Sequence, residues 1–214
     1  MKCPKIFIPE TFIPKIALLL GTKIARLQRL FLILCALLLA SGCSSSVQSL
    51  NQYLLRSNVP EQFAVTQQQA IVGFGLITVA PYIDGLGLVL ETPSGEVRAA
   101  RDHQWAEPLR DSLRMFMVQE VSAQAGQRVR SQNNGEGDWQ RRIDLRIDEL
   151  HGTVANGAKL VAYWHILDTK ERKVISEHGF VQTQALKADG YAALVAAEKQ
   201  LLRQLAKAVA ASLP

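Results

Sequence analysis

The chain has 214 residues and a formal net charge of +5, and this length predicts one domain with a short additional segment. Six of the 24 Lys and Arg residues and one of the 19 Asp and Glu residues lie in the first 42 positions, which leaves 18 of each sign in residues 43–214. Because this larger part is neutral, it lacks the basic surface typical of nucleic-acid-binding proteins. We therefore expect no nucleic-acid partner.

Residues 1–42 have the pattern of a signal peptide. Lys23, Arg26 and Arg29 precede an apolar stretch, residues 31–39, and small residues follow it, which is the order of regions in a secretory signal. An apolar stretch of this length is too short to cross a bilayer, which takes about 20 residues. Residues 39–43, Leu-Ala-Ser-Gly-Cys, resemble the lipobox that lipoprotein-processing enzymes recognise.

Cys43 is therefore predicted to become the N-terminus of the mature protein and to carry an N-acyl diacylglyceryl group. The alternative is an ordinary secretory signal that happens to end in a cysteine. Cys3 and Cys35 lie in the removed segment, so we expect no disulfide and no cofactor besides the covalent lipid. Ser44 stands where an Asp would signal retention at the inner membrane, which predicts a periplasm-facing protein of the outer membrane.

A lipidated tether is predicted at residues 43–50, and an α+β domain at residues 51–214. The first half of this domain contains segments rich in β-branched and apolar residues. They predict strands at residues 51–56, 71–79, 88–90 and 96–98, with a loop around Pro60 and residues 67–69. The second strand is predicted to end at Pro81, which has no N–H for a central ladder.

A helix is predicted next, because apolar residues recur at helical spacing. They are Trp105, Leu109, Leu113, Phe116, Met117 and Val121. Gly126 is predicted to end this helix. Met115, Phe116 and Met117 are adjacent, so one apolar stripe cannot bury all three; the third is predicted to cover a strand edge or, alternatively, to contact a partner or lipid.

Three strands and a second helix are predicted in the last part of the domain. Residues 142–148 alternate apolar and charged side chains, and residues 160–167 and 174–183 follow as two further strands. Asp189 is predicted as the N-cap of a terminal amphipathic helix. The order of elements favours a largely antiparallel sheet with two helices packed on it.

Candidate catalytic residues form no recognised motif. Asp102, His103 and Ser112 are the residue types of a nucleophilic triad, but no G-x-S-x-G turn presents the serine. The two-glycine segments at residues 73–75 and 85–87 are predicted to be turn or close-packing glycines. The histidines lack metal-ligand spacing; they are His103, His151, His165 and His178. We therefore predict a protein that is not an enzyme and binds no metal.

Several segments together resemble the ABC-type transport auxiliary lipoproteins. They are residues 53–55, 79–84, 105–109, 142–150 and 191–205, of which Trp-Ala-Glu-Pro-Leu at 105–109 is the most specific. The sequence departs from the family pattern at residues 85–87, where a more polar turn is usual. The resemblance covers nearly all of the chain after Cys43.

The resemblance implies a non-catalytic subunit of an ABC/MCE-type intermembrane lipid transport system. Its partners would be an MCE-domain protein and the inner-membrane transport components, and it would dock the periplasm-spanning MCE assembly at the outer membrane. MCE proteins form closed oligomers, so a matching homo-oligomeric ring is expected. Tyr82, Asp84 and Trp105 are the candidate partner contacts, although a turn and a core anchor also explain them.

Two other classes of function remain open at this point. One is a structural or pilot-type assembly lipoprotein of another envelope secretion or export machine. The other is a periplasmic enzyme with an unrecognised site, which would require a polar pocket with convergent side chains.

Overall fold

The computed structural model describes residues 49–59, 72–131 and 138–214. The strands are β1 (Asn51–Tyr53), β2 (Val72–Val79), β3 (Gly87–Glu91), β4 (Val97–Trp105), β5 (Val129–Ser131), β6 (Arg141–Thr153), β7 (Gly157–Asp168) and β8 (Lys173–Ala185), and the helices are α1 (Leu109–Ala125) and α2 (Tyr191–Ala211). The predicted signal peptide, Cys43 and the loop of residues 60–69 lie outside the described residues, as do residues 132–137 of the predicted polar loop.

The described strands form one mixed sheet organised around β6. β7 pairs with β6 in antiparallel fashion along its whole length, and β8 pairs in the same way with β7. The opposite edge of β6 is shared, because β2 pairs with its first half and β3 with Gly152 near its end. β4 and β1 continue the sheet beyond β3, whereas β5 continues it beyond β2.

A short 3-10 helix, Pro81–Ile83, separates β2 from β3. Pro81 cannot donate to a ladder, so pairing along β6 stops after Ala80 donates its N–H to the carbonyl of Ile147 at 2.9 Å. The chain then resumes as β3 further along the same edge. The prediction that the second strand ends at this proline is thereby confirmed.

The helices cover one face of the sheet and bury the core there. Ile143, Leu145 and Ile147 alternate along β6 with charged residues and point toward the helices, as expected for a strand with one buried face. Phe116 of α1 and Leu201 of α2 are buried against this layer. The predicted α+β class, with two helices on a largely antiparallel sheet, is confirmed.

Several boundaries differ from the predictions. The first strand ends at Tyr53 rather than at residue 56. Trp105 is the last residue of β4 and not part of the helix, which begins at Leu109 with Pro108 as its N-cap residue. The helical spacing of Trp105 was therefore coincidental, since extended pairing with Tyr53 determines its conformation.

The ends of the helices were only partly predicted. Gly126 ends α1 in the left-handed region, with φ of 63°, as the sequence predicted. Asp189 is not the N-cap of α2; Gly190 holds that position, with φ of 95° and no side-chain capping bond. The short parallel strand β5, which pairs with β2, was not predicted.

Candidate functional site

Two of the predicted partner contacts, Asp84 and Trp105, lie where the chain enters the domain. We call this region the entry end and define it as residues 50–57, 84–86 and 105–110. β1 pairs in parallel with the end of β4, so Tyr53 lies beside Trp105. Leu55 then turns inward and is buried in the core. The segment that leads in from the predicted tether is thus fixed to the domain by both backbone pairing and a buried side chain.

Two polar contacts hold this entering segment against α1 and the residues just before it. Arg56 forms an ion pair with Glu107, and this hydrogen bond lowers the pKa of the Glu107 carboxyl. The hydroxyl of Ser57 donates to Oε1 of Glu120 at 2.7 Å. Glu120 is buried and also lies 3.5 Å from Nε of Arg203 in α2. The entering segment is therefore linked to both helices.

An aromatic stack joins the same segment to the start of α2. The hydroxyl of Tyr53 and Nδ1 of His103 are 3.0 Å apart. The His103 ring stacks on the Tyr191 ring with 4.1 Å between centroids. Burial, with a contribution from Asp102, raises the pKa of Tyr191. β1, β4 and α2 consequently meet at one aromatic cluster.

Trp105 is buried, and its backbone N–H donates to the carbonyl of Leu86 at 2.7 Å. Asp84, at the end of the 3-10 helix, forms an ion pair with Arg110 in the first turn of α1. These two contacts fasten the 84–86 loop to the end of β4 and to the first turn of α1. Trp105 therefore supports this region from beneath, whereas Asp84 lies at its surface.

Tyr82 lies beside the entry end and is 37% exposed. Its ring contacts His151 edge-on, with 6.2 Å between centroids. Burial of the hydroxyl, followed by the charges of Glu149 and Asp148, raises the pKa of Tyr82 to about 12. The phenol thus stays neutral at physiological pH. Contact of Tyr82, Asp84 or Trp105 with a partner stays a prediction.

The face of the sheet opposite the helices carries a second surface feature. A groove of about 410 Å³ is lined by β2, β6, β7 and β8. Asp144 lies at its floor and accepts hydrogen bonds from Arg142 at 2.8 Å and from the backbone N–H of Leu76 at 2.9 Å. Nε2 of His165 lies 3.3 Å from the same carboxylate. The carboxylate therefore already has partners within the domain, which suits a structural role.

The residues considered for a nucleophilic triad do not come together. Ser112 is buried in α1, and its hydroxyl donates to Glu107 at 3.1 Å. His103 instead contacts Tyr53 and Tyr191. Among the residues that the structure describes, no group of three or more His, Cys, Asp or Glu side chains is arranged to hold a metal ion.

Three surface residues at or near the entry end were not predicted to be exposed. Leu54 is 52% exposed and Leu86 is 41% exposed, and Leu50 is exposed as well. A short apolar segment gives no local signal that distinguishes exposed Leu54 from buried Leu55. In α1, Phe116 and Met117 are buried and Met115 is exposed, which confirms that one of the three adjacent residues lies outside the core.

A family model described as the ABC-type transport auxiliary lipoprotein component matches residues 53–210. This range runs from the end of β1 almost to the end of α2. The chain belongs to this family. The family is one of transport auxiliary lipoproteins and is not a known class of enzyme.

Two relatives of this ABC-type transport auxiliary lipoprotein are the intermembrane transport lipoprotein PqiC of Escherichia coli (strain K12) and that of Shigella flexneri. Each is 32% identical over 128 residues, which cover 57% of this chain. The chain spans 65% of the length of these relatives. The resemblance to the auxiliary lipoproteins that the sequence suggested is confirmed.

Solved structures support the fold. An uncharacterized protein aligns with a TM-score of 0.66 at 22% identity and covers 78% of this chain and 99% of its own. A protein of Xanthomonas campestris aligns with a TM-score of 0.60 at 16% identity and covers 74% of this chain and 92% of its own.

Within residues 49–59, 72–131 and 138–214, no helix is both long and apolar enough to cross a membrane.

Proposed function

We propose that this family member is a lipid-anchored, non-catalytic subunit at the outer membrane that docks the periplasm-spanning MCE assembly of an intermembrane lipid transport system. The observation that carries the proposal is the family match over residues 53–210. The relatives named intermembrane transport lipoprotein agree with it. The lipobox-like residues before Cys43 supply the anchor, an N-acyl diacylglyceryl group.

The 3-10 helix and the residue that follows it, beside the leucines of the entry end, suit a docking role. They carry two of the predicted contact residues, Tyr82 and Asp84, on a rigid backbone. β1 pairing and the buried Leu55 fix the entering segment, and the Asp84–Arg110 ion pair fixes the loop beside it. A partner that contacts Tyr82 and Asp84 would therefore meet a preorganised surface, which lowers the entropic cost of binding.

A pull-down tests the partner. The acylated protein is recovered from gently solubilised envelopes, and the accompanying proteins are identified by mass spectrometry. We expect an MCE-domain protein together with its inner-membrane transport components. Recovery of secretion or export components without an MCE protein would refute the transport role and favour the pilot-type alternative.

Paired variants test the contact surface within the same pull-down. Asp84→Asn is expected to reduce recovery of the MCE protein, because it removes the charge at the predicted contact. Glu96→Gln is the matched control, since Glu96 also pairs with an arginine, Arg98, at the surface and lies just before the start of β4, at the end of that strand away from the entry end. Each exposed pair contributes only about 0–1 kcal/mol, so both variants should fold. Equal recovery with the two variants would remove Asp84 from the contact.

The anchor has its own test. Labelling with palmitate and mass measurement of the N-terminal peptide are expected to show a triacylated Cys43, and membrane fractionation is expected to place the protein in the outer membrane. Cys43→Ala should abolish both the lipid and the membrane association. A mature protein that begins elsewhere, or that lacks the lipid, would refute the anchor while leaving the family membership intact.

The proposal includes a homo-oligomeric ring that matches the closed oligomer of an MCE protein. β8 supports it, because it pairs only with β7 among the described strands and is exposed along most of its length. Such an edge offers unpaired backbone groups to another chain. Native mass spectrometry of the acylated protein in detergent is expected to show a closed oligomer, and a monomer at all concentrations would refute the ring.

A further inference from the structure

We infer that the entry end rests on the lipid bilayer, with Leu50, Leu54 and Leu86 inserted into its interfacial layer. This inference rests on the proposed lipid anchor at Cys43 and adds a second, non-covalent membrane contact. Three of the four exposed leucines among the described residues belong to this end, and the fourth is Leu76 on β2. Burial of their apolar side chains would be favourable. A bilayer interface provides that burial.

The length of the tether places these residues close to the membrane. Seven residue steps separate Cys43 from Leu50, and an extended chain of that length reaches at most about 25 Å. The lipid on Cys43 therefore holds Leu50 near the bilayer at all times. A tether this short turns contact with the surface into an intramolecular event with a high effective concentration, so a weak apolar contact is sufficient.

Leu54 and Leu86 lie on either side of the end of β4, on a rigid part of the domain. Leu54 follows Tyr53, whose carbonyl accepts the N–H of Ala106 at 2.8 Å. Leu86 accepts the N–H of Trp105 at 2.7 Å. Both leucines thus flank the end of β4. Because hydrogen bonds hold the backbone of Leu86 and that of Tyr53, the residue before Leu54, little backbone entropy would be lost when the leucines enter the interface.

The charges at this end point to an apolar contact with the membrane. Arg56 is paired with Glu107, and Arg110 is paired with Asp84. Each cation therefore has a carboxylate beside it, and the entry end offers no net positive charge for anionic headgroups. The contact should form on neutral lipid, and it should persist at high ionic strength, where attraction between surface charges is screened.

Val97 on β4 provides a matched control position. It is 47% exposed and apolar, but it is the first residue of β4, whereas Trp105 at the entry end is the last. At about 3.3 Å per residue along a strand, this separation is about 26 Å. A domain that rests on its entry end keeps Val97 away from the lipid, whereas a freely rotating domain exposes both ends equally.

Single introduced thiols allow a direct test in the acylated protein. Cys3 and Cys35 belong to the predicted signal peptide and Cys43 is blocked by lipid, so Leu54→Cys, Leu86→Cys and Val97→Cys each supply the sole free thiol. Each variant is labelled with an environment-sensitive fluorophore and bound to phosphatidylcholine vesicles. The labels at positions 54 and 86 are expected to shift to the blue and to lose intensity when the acyl chains are brominated. The label at position 97 should show neither effect, and raising the salt from about 0.1 to about 1 M should change none of the three spectra.

Three results would overturn the inference. Equal spectra at all three positions would show a freely rotating domain. Shifts at positions 54 and 86 that appear only after an MCE protein is added would assign this surface to a protein partner. If mass spectrometry finds no lipid on Cys43, the anchor itself fails, and the inference fails with it. The first two outcomes leave the proposed function standing, so the two failures are distinguishable.

Discussion

Glu198 makes the stability of the domain dependent on pH. It lies on the inward face of α2 and is 1% exposed. Its Oε2 atom has no hydrogen-bond partner among the described residues. Desolvation by burial raises the pKa of this carboxyl from 4.5 to about 8. The folded protein therefore holds a proton at neutral pH that the unfolded chain releases.

The sign follows from proton linkage. Between pH 4.5 and about 8 the folded state binds one more proton than the unfolded state at this site, so the free energy of unfolding falls by about 1.4 kcal/mol for each pH unit. Below pH 4.5 Glu198 is protonated in both states and its burial does not lower the free energy of unfolding through ionisation. As the pH rises from 4.5 toward 8, the unfolded chain loses this proton and the free energy of unfolding falls. Two and a half units separate 4.5 from neutral pH, so the loss at pH 7 is about 3 kcal/mol.

Glu198→Gln removes this titration with little change in shape. We expect its free energy of unfolding to exceed that of the native protein at pH 7, by up to about 3 kcal/mol less the cost of burying the amide. The gain should shrink as the pH falls toward 5. Urea denaturation of the acylated protein in detergent at several pH values measures both quantities.

Glu120→Gln is the matched control, because Glu120 is equally buried but has partners. It accepts the hydroxyl of Ser57 and lies beside Arg203. Loss of its charge should lower the stability by on the order of 1 kcal/mol, which is the opposite sign. If Glu198→Gln and the native protein show the same dependence on pH, the reasoning about burial is wrong.

Three further predictions concern packing. Gly73→Ala should destabilise the protein by about 1–3 kcal/mol in urea denaturation, because the added Cβ would lie 2.0 Å from the Trp139 ring. Gly85→Ala should be close to neutral, since no atom of the described residues lies within 4 Å of its Cβ position. Leu55→Ala should cost about 2–5 kcal/mol, whereas Leu54→Ala should cost far less because that side chain is exposed; similar losses in the two leucine variants would contradict the buried position of Leu55.

Local patterns predicted most of the elements for a physical reason. Alternation of apolar and charged residues along β6 reflects one buried face, and the same holds for the apolar stripe of α2. A glycine after α1 predicted its end, because glycine adopts the left-handed conformation without strain. Where the signal was weaker the prediction failed: Trp105 fits a helical stripe by spacing, yet its pairing with Tyr53 makes it the end of a strand.

The arrangement of the sheet was not available from local patterns. β2 and β3 share one edge of β6 because Pro81 interrupts the ladder. The sequence of neither segment predicts that β6 is the strand it pairs with. The parallel pairing of β1 with β4 joins residues about fifty positions apart, such as Tyr53 and Trp105. Contacts of this kind depend on packing of the complete domain, so a sequence predicts the strands better than their partners.

At the candidate site, too, the sequence indicated individual residues but not the contacts between them. Resemblance to the family drew attention to Tyr82, Asp84 and Trp105, and the structure places Asp84 and Trp105 at the entry end through contacts that the sequence does not encode locally. The pairing of Asp84 with Arg110 spans 26 positions, and Leu86 lies at the surface across the end of β4 from Leu54. Whether a leucine is buried or exposed depends on which parts of the folded chain cover it. The entry end is therefore a property of the folded chain, and its apolar surface became visible only when β1 was placed against β4.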